Sequence, residues 1–134
     1  MAYVNQGIAK SSVLTSQPIV SKTPPSLAGS LPASFDWRNV SGTVNPIKNQ
    51  GACGSCWAFS ATGSLESAYA ISNGVLPNLS EQNLVDCTYS RDGCGGGFYT
   101  TAWNYIKTNN NTIDTQSVYP YTSGTSATVE LFFI

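Results

Sequence analysis

The residues of this chain best suited to chemistry are two cysteines three positions apart, Cys53 and Cys56, in "NQGACGSCWAFS" (Asn49 to Ser60). A pair at that spacing serves several kinds of chemistry. Both cysteines can be structural, as disulfide partners or buried thiols. A structural zinc site needs four ligands, usually as two close pairs. The other two cysteines, Cys87 and Cys94, stand seven apart, and the 134 residues contain no histidine to substitute. A thioredoxin-like redox pair follows a strand inside a βαβ unit. Here a loop punctuated by Pro46, Gly51 and Gly54 leads in instead. The fourth possibility is one nucleophile beside one structural cysteine.

The elements that must position these thiols are legible as pattern. Ser55 to about Asn73 reads as the best helix, with Ala58, Ala61, Leu65, Ala68 and Tyr69 on one face and Glu66 and the serines elsewhere. Gly74 is placed to end it, and Pro77 follows. A shorter helix fits "LSEQNLVDC", with Ser80 as N-cap and Glu81 and Gln82 at the positive end of its dipole. "RDGCGGGF" is too glycine-rich for regular structure. A third helix fits Phe98 to Lys107, with Tyr99, Ala102, Trp103 and Ile106 as its apolar stripe. The remainder, "YPYTSGTSATVELFFI", reads as extended segments. Residues 1–30 are rich in Ser, Pro, Ala and Gly and read as a flexible leader, with a domain starting near Leu31.

Bulk properties narrow the function classes. Six basic and seven acidic residues give a net charge of −1, which excludes the electrostatic footprint of a nucleic-acid or anionic-membrane binder. Only 10% of residues are charged, against roughly 25% in ordinary soluble domains. That points to a surface rich in Ser, Thr and Asn, or to a face normally covered. No run approaches the roughly 20 apolar residues of a membrane span, and the first residues carry no apolar block of the secretory-signal type. Asn39, Asn78 and Asn110 head glycosylation sequons, a weak signal in a chain this rich in Asn, Ser and Thr.

Cys53-Gly54-Ser55-Cys56-Trp57 fits the pattern C-G-[SA]-C-[WY], and the chain resembles the papain-like cysteine proteases. The likeness continues through "LPASFDWR", "NPIKNQGACGSCWAFSATGSLE", "LSEQNLVDC", "GCGGGF" and "YPY" in order, over about Leu31 to Tyr121. The resemblance implies an α+β family fold of two halves, a helical one carrying the cysteine and a β-barrel-like one. This chain corresponds to the mainly α, helical half, with residues 31–134 as a truncated catalytic domain and residues 1–30 as a propeptide remnant.

By the same resemblance, Cys56 is the nucleophile of a peptide-bond hydrolase and Gln50 completes its oxyanion hole. The start of the long helix also favours a thiolate at Cys56. Cys53 matches a position disulfide-bonded to that of Cys94. Gly96 and Gly97 match glycines whose backbone pairs with an extended substrate. Phe98 and Tyr99 match the main specificity pocket, and Gly54 and Ser55 flank the site. Both aromatics also fit an ordinary helix core. The implied partners are peptide or protein substrates, the enzyme's own propeptide or inhibitor proteins, with no cofactor or metal; the implied location is lysosomal or extracellular.

The chain departs from the family pattern where a base is needed. A nucleophilic cysteine requires a group that takes the thiol proton and later protonates the leaving amine. The family's histidine and asparagine lie roughly 130–150 residues beyond the nucleophile, so this polypeptide is expected to be inactive alone. The other class of reading is a non-catalytic fragment that binds a peptide or propeptide. Cys87 is expected to be an unpaired thiol, and the family likeness fades after about Gly124.

Overall fold

A computed structural model describes residues 31–88 and 93–126. The expected leader at 1–30 and the apolar end at 129–134 lie outside the described residues. Described in chain order are a 3-10 turn, Trp37–Asn39, and four helices: α1, Cys56–Asn73; α2, Glu81–Cys87; α3, Tyr99–Thr108; and α4, Ser123–Ser126. Among the described residues there is no named strand, only an isolated bridge between Leu79 and Thr115. The expectation of a mainly helical unit therefore holds.

Local chemistry sets the element ends. Asp36 caps the 3-10 turn by accepting from the Arg38 amide at 2.9 Å, and its carboxylate also pairs with the Arg38 guanidinium. That pairing holds the Asp36 carboxyl down at about 2. α1 stops at Gly74, whose φ of 72° is the left-handed conformation glycine adopts without strain; its N–H donates to the Ala70 carbonyl. Ser80 caps α2 as expected, accepting from the Asn83 amide at 3.0 Å.

The core forms where three helices meet. Trp57, Ala58 and Ala61 of α1 pack with Leu84 and Val85 of α2 and Ala102 and Ile106 of α3. Alanines at 58, 61 and 102 let helix backbones approach, while burial of Leu84, Val85 and Ile106 contributes about 1.5–3 kcal/mol each. Between α1 and α2 lies a charged knot. Lys48 Nζ donates to Glu66 Oε1 at 2.8 Å and to Glu81 Oε1 at 2.6 Å, and the Leu79 amide and the Thr62 hydroxyl donate to the same two oxygens.

That knot corrects the face expected for α1. Glu66 is buried at 2% exposure, whereas Ala68 is exposed and Tyr69 is 49% exposed. Lys48 and the Leu79 amide neutralise and bond the carboxylate, so it turns inward where an unpaired one would not. On α3, Ala102 and Ile106 are buried as expected, but Tyr99 and Trp103 remain 45% and 38% exposed, packed edge-on against each other.

The reading of residues 119–134 as extended is overturned at Ser123–Ser126, which are helical. Residues 123–126 form α4 because buried Gln82 holds the chain there. Its Oε1 accepts from the Thr122 and Ser123 amides, both at 3.0 Å, and its Nε2 donates to Ser123 Oγ at 2.8 Å. Two backbone donors from successive residues converge on one acceptor, which curls the chain into a turn.

Candidate active site

Cys53 and Cys94 form a disulfide across 41 residues of sequence. The Gly54 amide donates to the Cys94 carbonyl at 2.8 Å, and the Trp57 indole donates to the Gly93 carbonyl at 3.2 Å. Together these bonds lash the glycine-rich loop to the first turn of α1. Zinc and dithiol redox chemistry are thereby both without their cysteine pair, since Cys53 is bonded to Cys94 and Cys56 is free. Among the described residues, no group of three or more His, Cys, Asp or Glu is arranged to hold a metal.

Cys56 is the first residue of α1 and is partly exposed. Its neighbour Ser55 occupies the N-cap position and is fully buried, yet its hydroxyl makes no capping hydrogen bond. That hydroxyl instead lies 2.6 Å from the Tyr121 hydroxyl, which also donates to the Gln50 carbonyl at 2.8 Å. The Gln50 side chain folds back over the loop, its Nε2 donating to the Cys53 carbonyl at 2.9 Å. A primary amide carries two N–H donors, so this bond uses one of them.

Gly96 and Gly97 lie beyond the disulfide on the loop lashed to α1. Gly96 has a φ of 125°, which favours glycine, and Gly97 backs onto Trp57 so closely that an added Cβ would stand 2.7 Å from the ring. Glycine at 97 is therefore demanded by internal packing, a reason additional to any approach of a substrate. Phe98 is half-buried at the N-cap of α3, and Tyr99 begins that helix. The structure thus brings the Gln50 loop, the start of α1 and the loop at 93–97 together. Tyr99 is not core.

Cys87 sits apart, at the end of α2. Burial pushes its thiol up, Asp86 and Asp114 add to the rise, and a hydrogen bond with Tyr105 offsets part of it. The thiol is free, as expected. Tyr121 and Lys48 carry no role in the sequence pattern, and Gln82 figures there only at the start of the second helix. Each acts through partners 18 to 71 positions away, beyond the reach of any local pattern.

The helical fold agrees with what the sequence matches. Residues 31–131 match the family described as papain family cysteine protease. The chain belongs to that family, and its described residues are the mainly α part of a papain-like domain. It is 55% identical over 96 residues to "Digestive cysteine proteinase 3" of Homarus americanus, covering 70% of this chain and 29% of that protein. It is 58% identical over 89 residues to "Cysteine proteinase 5" of Dictyostelium discoideum, covering 66% and 25%. Against "Cathepsin L1" of Drosophila melanogaster it is 55% identical over 93 residues, covering 68% and 24%. The chain thus spans 24–29% of the length of these relatives.

Proposed function

We propose that Cys56 is the nucleophile of a cysteine-type endopeptidase site and that Gln50 supplies an oxyanion donor. The observation that carries this reading is the division of labour between the two cysteines. Cys53 is spent on the disulfide, and Cys56 is left free where α1 begins. In the reaction the Cys56 sulfur adds to a peptide carbonyl, the π pair moves to oxygen, and that oxygen takes hydrogen bonds from the free Gln50 N–H and the helix start.

A peptide in extended form would run along Gly96 and Gly97, with Gly54, Phe98 and Tyr99 contacting its side chains; Ser55, expected beside them, is fully buried and bonded to Tyr121 instead. Peptide and protein substrates, the protein's own propeptide and inhibitor proteins are the partners this site would take. Residues 31–134 are the helical half of the catalytic domain, and residues 1–30 belong to a leader. The disulfide favours an oxidising compartment, and relatives named as digestive proteinase and cathepsin support a secreted or lysosomal setting.

Amide hydrolysis also needs a general acid for the departing amine. These 134 residues contain no histidine, so an imidazole must come from outside them. The chain alone therefore acylates but does not turn over amides. A p-nitrophenyl ester tests this, because its leaving group departs without protonation. With the p-nitrophenyl ester of N-acetyl-phenylalanyl-glycine, one acyl group is expected on Cys56 by mass spectrometry, and the corresponding peptide amide stays intact. Acylation that persists in Cys56→Ala would overturn the assignment. Steady amide hydrolysis lost in that variant would overturn the need for an outside base.

A further inference from the structure

Ser55 stands where serine normally caps a helix, and it does not cap. Serine at an N-cap accepts a hydrogen bond from the second or third amide of its helix. Here the hydroxyl is fully buried and engaged 2.6 Å from Tyr121 Oη instead. The same Tyr121 oxygen donates to the Gln50 carbonyl at 2.8 Å. One phenol therefore joins the residue before Cys56 to the main chain of Gln50, across 66 and 71 positions of sequence.

The phenol is itself fixed from two sides. Its ring packs edge-on against Phe59 of α1, with centroids 5.0 Å apart. The chain just after it is held by Gln82, which takes the Thr122 and Ser123 amides. The Ala52 amide donates to the Gly124 carbonyl at 3.0 Å, and an added Cβ on Gly51 would stand only 2.3 Å from that oxygen. The 121–124 segment is thus clamped against the Gln50–Ala52 loop, with the Tyr121 hydroxyl at the junction.

We infer that Tyr121 is a positioning residue for the oxyanion site, resting on the reading of Cys56 and Gln50 given above. It sets the distance between the two sides of the site. On one side it anchors the Gln50 backbone, from which the amide donor projects. On the other it accepts from the Ser55 hydroxyl and holds that side chain out of the capping role, so that the Cys56 and Trp57 amides keep no side-chain cap, while the Ala58 amide is already bonded to the Ser55 carbonyl at 2.8 Å. Removing the hydroxyl keeps the ring against Phe59 but frees both ends of the bridge. A misplacement of donors by an ångström or less weakens oxyanion binding far more than it weakens the thiol as such.

Two probes of Cys56 separate these effects. Iodoacetamide alkylates the sulfur by displacement of iodide and places no oxygen in the oxyanion position. N-acetyl-phenylalanyl-glycinal forms a hemithioacetal: the sulfur bonds to the aldehyde carbon, the π pair goes to oxygen, and that oxygen gains the thiol proton. Its affinity is read as the aldehyde concentration that halves the iodoacetamide rate at Cys56. In Tyr121→Phe, that concentration is expected to rise about five- to tenfold. This is less than the roughly 10²–10³ for deleting an oxyanion donor outright, because the donor remains. The iodoacetamide rate without aldehyde is expected to stay within about twofold, with an unchanged melting curve.

Ser55→Ala removes the opposite end of the bridge and is expected to weaken aldehyde protection in the same direction. It keeps the inference testable if Tyr121→Phe does not fold. Unchanged aldehyde protection in the folded variants would overturn the inference, as would a parallel loss of both readouts with a lowered melting temperature. Gln50→Ala separates the two levels. If it weakens aldehyde protection while Tyr121→Phe does not, the positioning role alone falls. If Gln50→Ala changes nothing, the oxyanion assignment falls and takes this inference with it.

Discussion

The backbone at Gly97 lies so close to the indole of Trp57 that an added Cβ would stand 2.7 Å from Cδ2. Trp57 is itself fixed, buried at 3% exposure and donating to the Gly93 carbonyl. The ring cannot swing aside without breaking that bond. Gly97→Ala is therefore expected to destabilise the fold by about 1–3 kcal/mol, read as a lowered denaturant midpoint. Gly63, inside α1, is the contrasting case, since nothing stands within 4 Å of a Cβ there. Gly63→Ala is expected to stabilise by about 0.5–1 kcal/mol. Equal effects of the two substitutions would contradict this packing account.

The disulfide closes the loop between Cys53 and Cys94, a separation of 41 residues. Constraining a loop of that size in the unfolded chain contributes about 4 kcal/mol in the chain-entropy model. Replacing both cysteines by serine should lower the unfolding free energy by roughly that amount. A change below about 1 kcal/mol would mean that the unfolded chain is already confined near this loop.

Lys48 is the cation between two buried carboxylates. Its ammonium contacts Glu66 and Glu81, whose side chains are 2% and 1% exposed. Lys48→Met keeps most of the aliphatic stem and leaves both carboxylates without their cation. The expected destabilisation is about 3–5 kcal/mol. Glu66→Gln retains the shape and removes one charge, and it should be milder. A neutral outcome for Lys48→Met by urea titration would show that the knot is dispensable.

How far these contacts were legible depends on their range. The caps at Ser80 and Gly74 and the three main helices follow from neighbours within four positions, and the chain pattern reveals them. The inward turn of Glu66 follows from Lys48, 18 positions away, and from the Leu79 amide, so a helical wheel put it on the wrong face. The tail was misread because Gln82, about 40 positions earlier, supplies the acceptor that curls residues 122–123. The cysteine motif was legible by resemblance. The Tyr121 bridge was not, because a hydroxyl spanning Ser55 and Gln50 leaves no mark on local periodicity.

The Cys87 thiol should respond to pH through its burial. Burial, aided by Asp86 and Asp114, holds the Cys87 thiol above its ordinary range. Its neutral form is favoured in the fold, so its contribution to stability is complete below the ordinary thiol pKa. That contribution is lost as pH rises toward the folded value. Cys87 should be alkylated slowly at neutral pH and increasingly above pH of about 9. Asn83→Ala and Tyr105→Phe, which strip neighbours of this thiol, offer a check. Rapid Cys87 labelling at neutral pH in the unaltered chain would contradict the burial.

Cys56, rather than Cys53 or Cys87, is expected to be the reactive nucleophile. The most direct measurement is alkylation of the native chain at neutral pH with iodoacetamide at less than one equivalent, mapped by peptide mass spectrometry. Label is expected on Cys56 ahead of Cys87, and none on Cys53 or Cys94 while their disulfide is intact. Preferential labelling of Cys87, or label on Cys53, would contradict it.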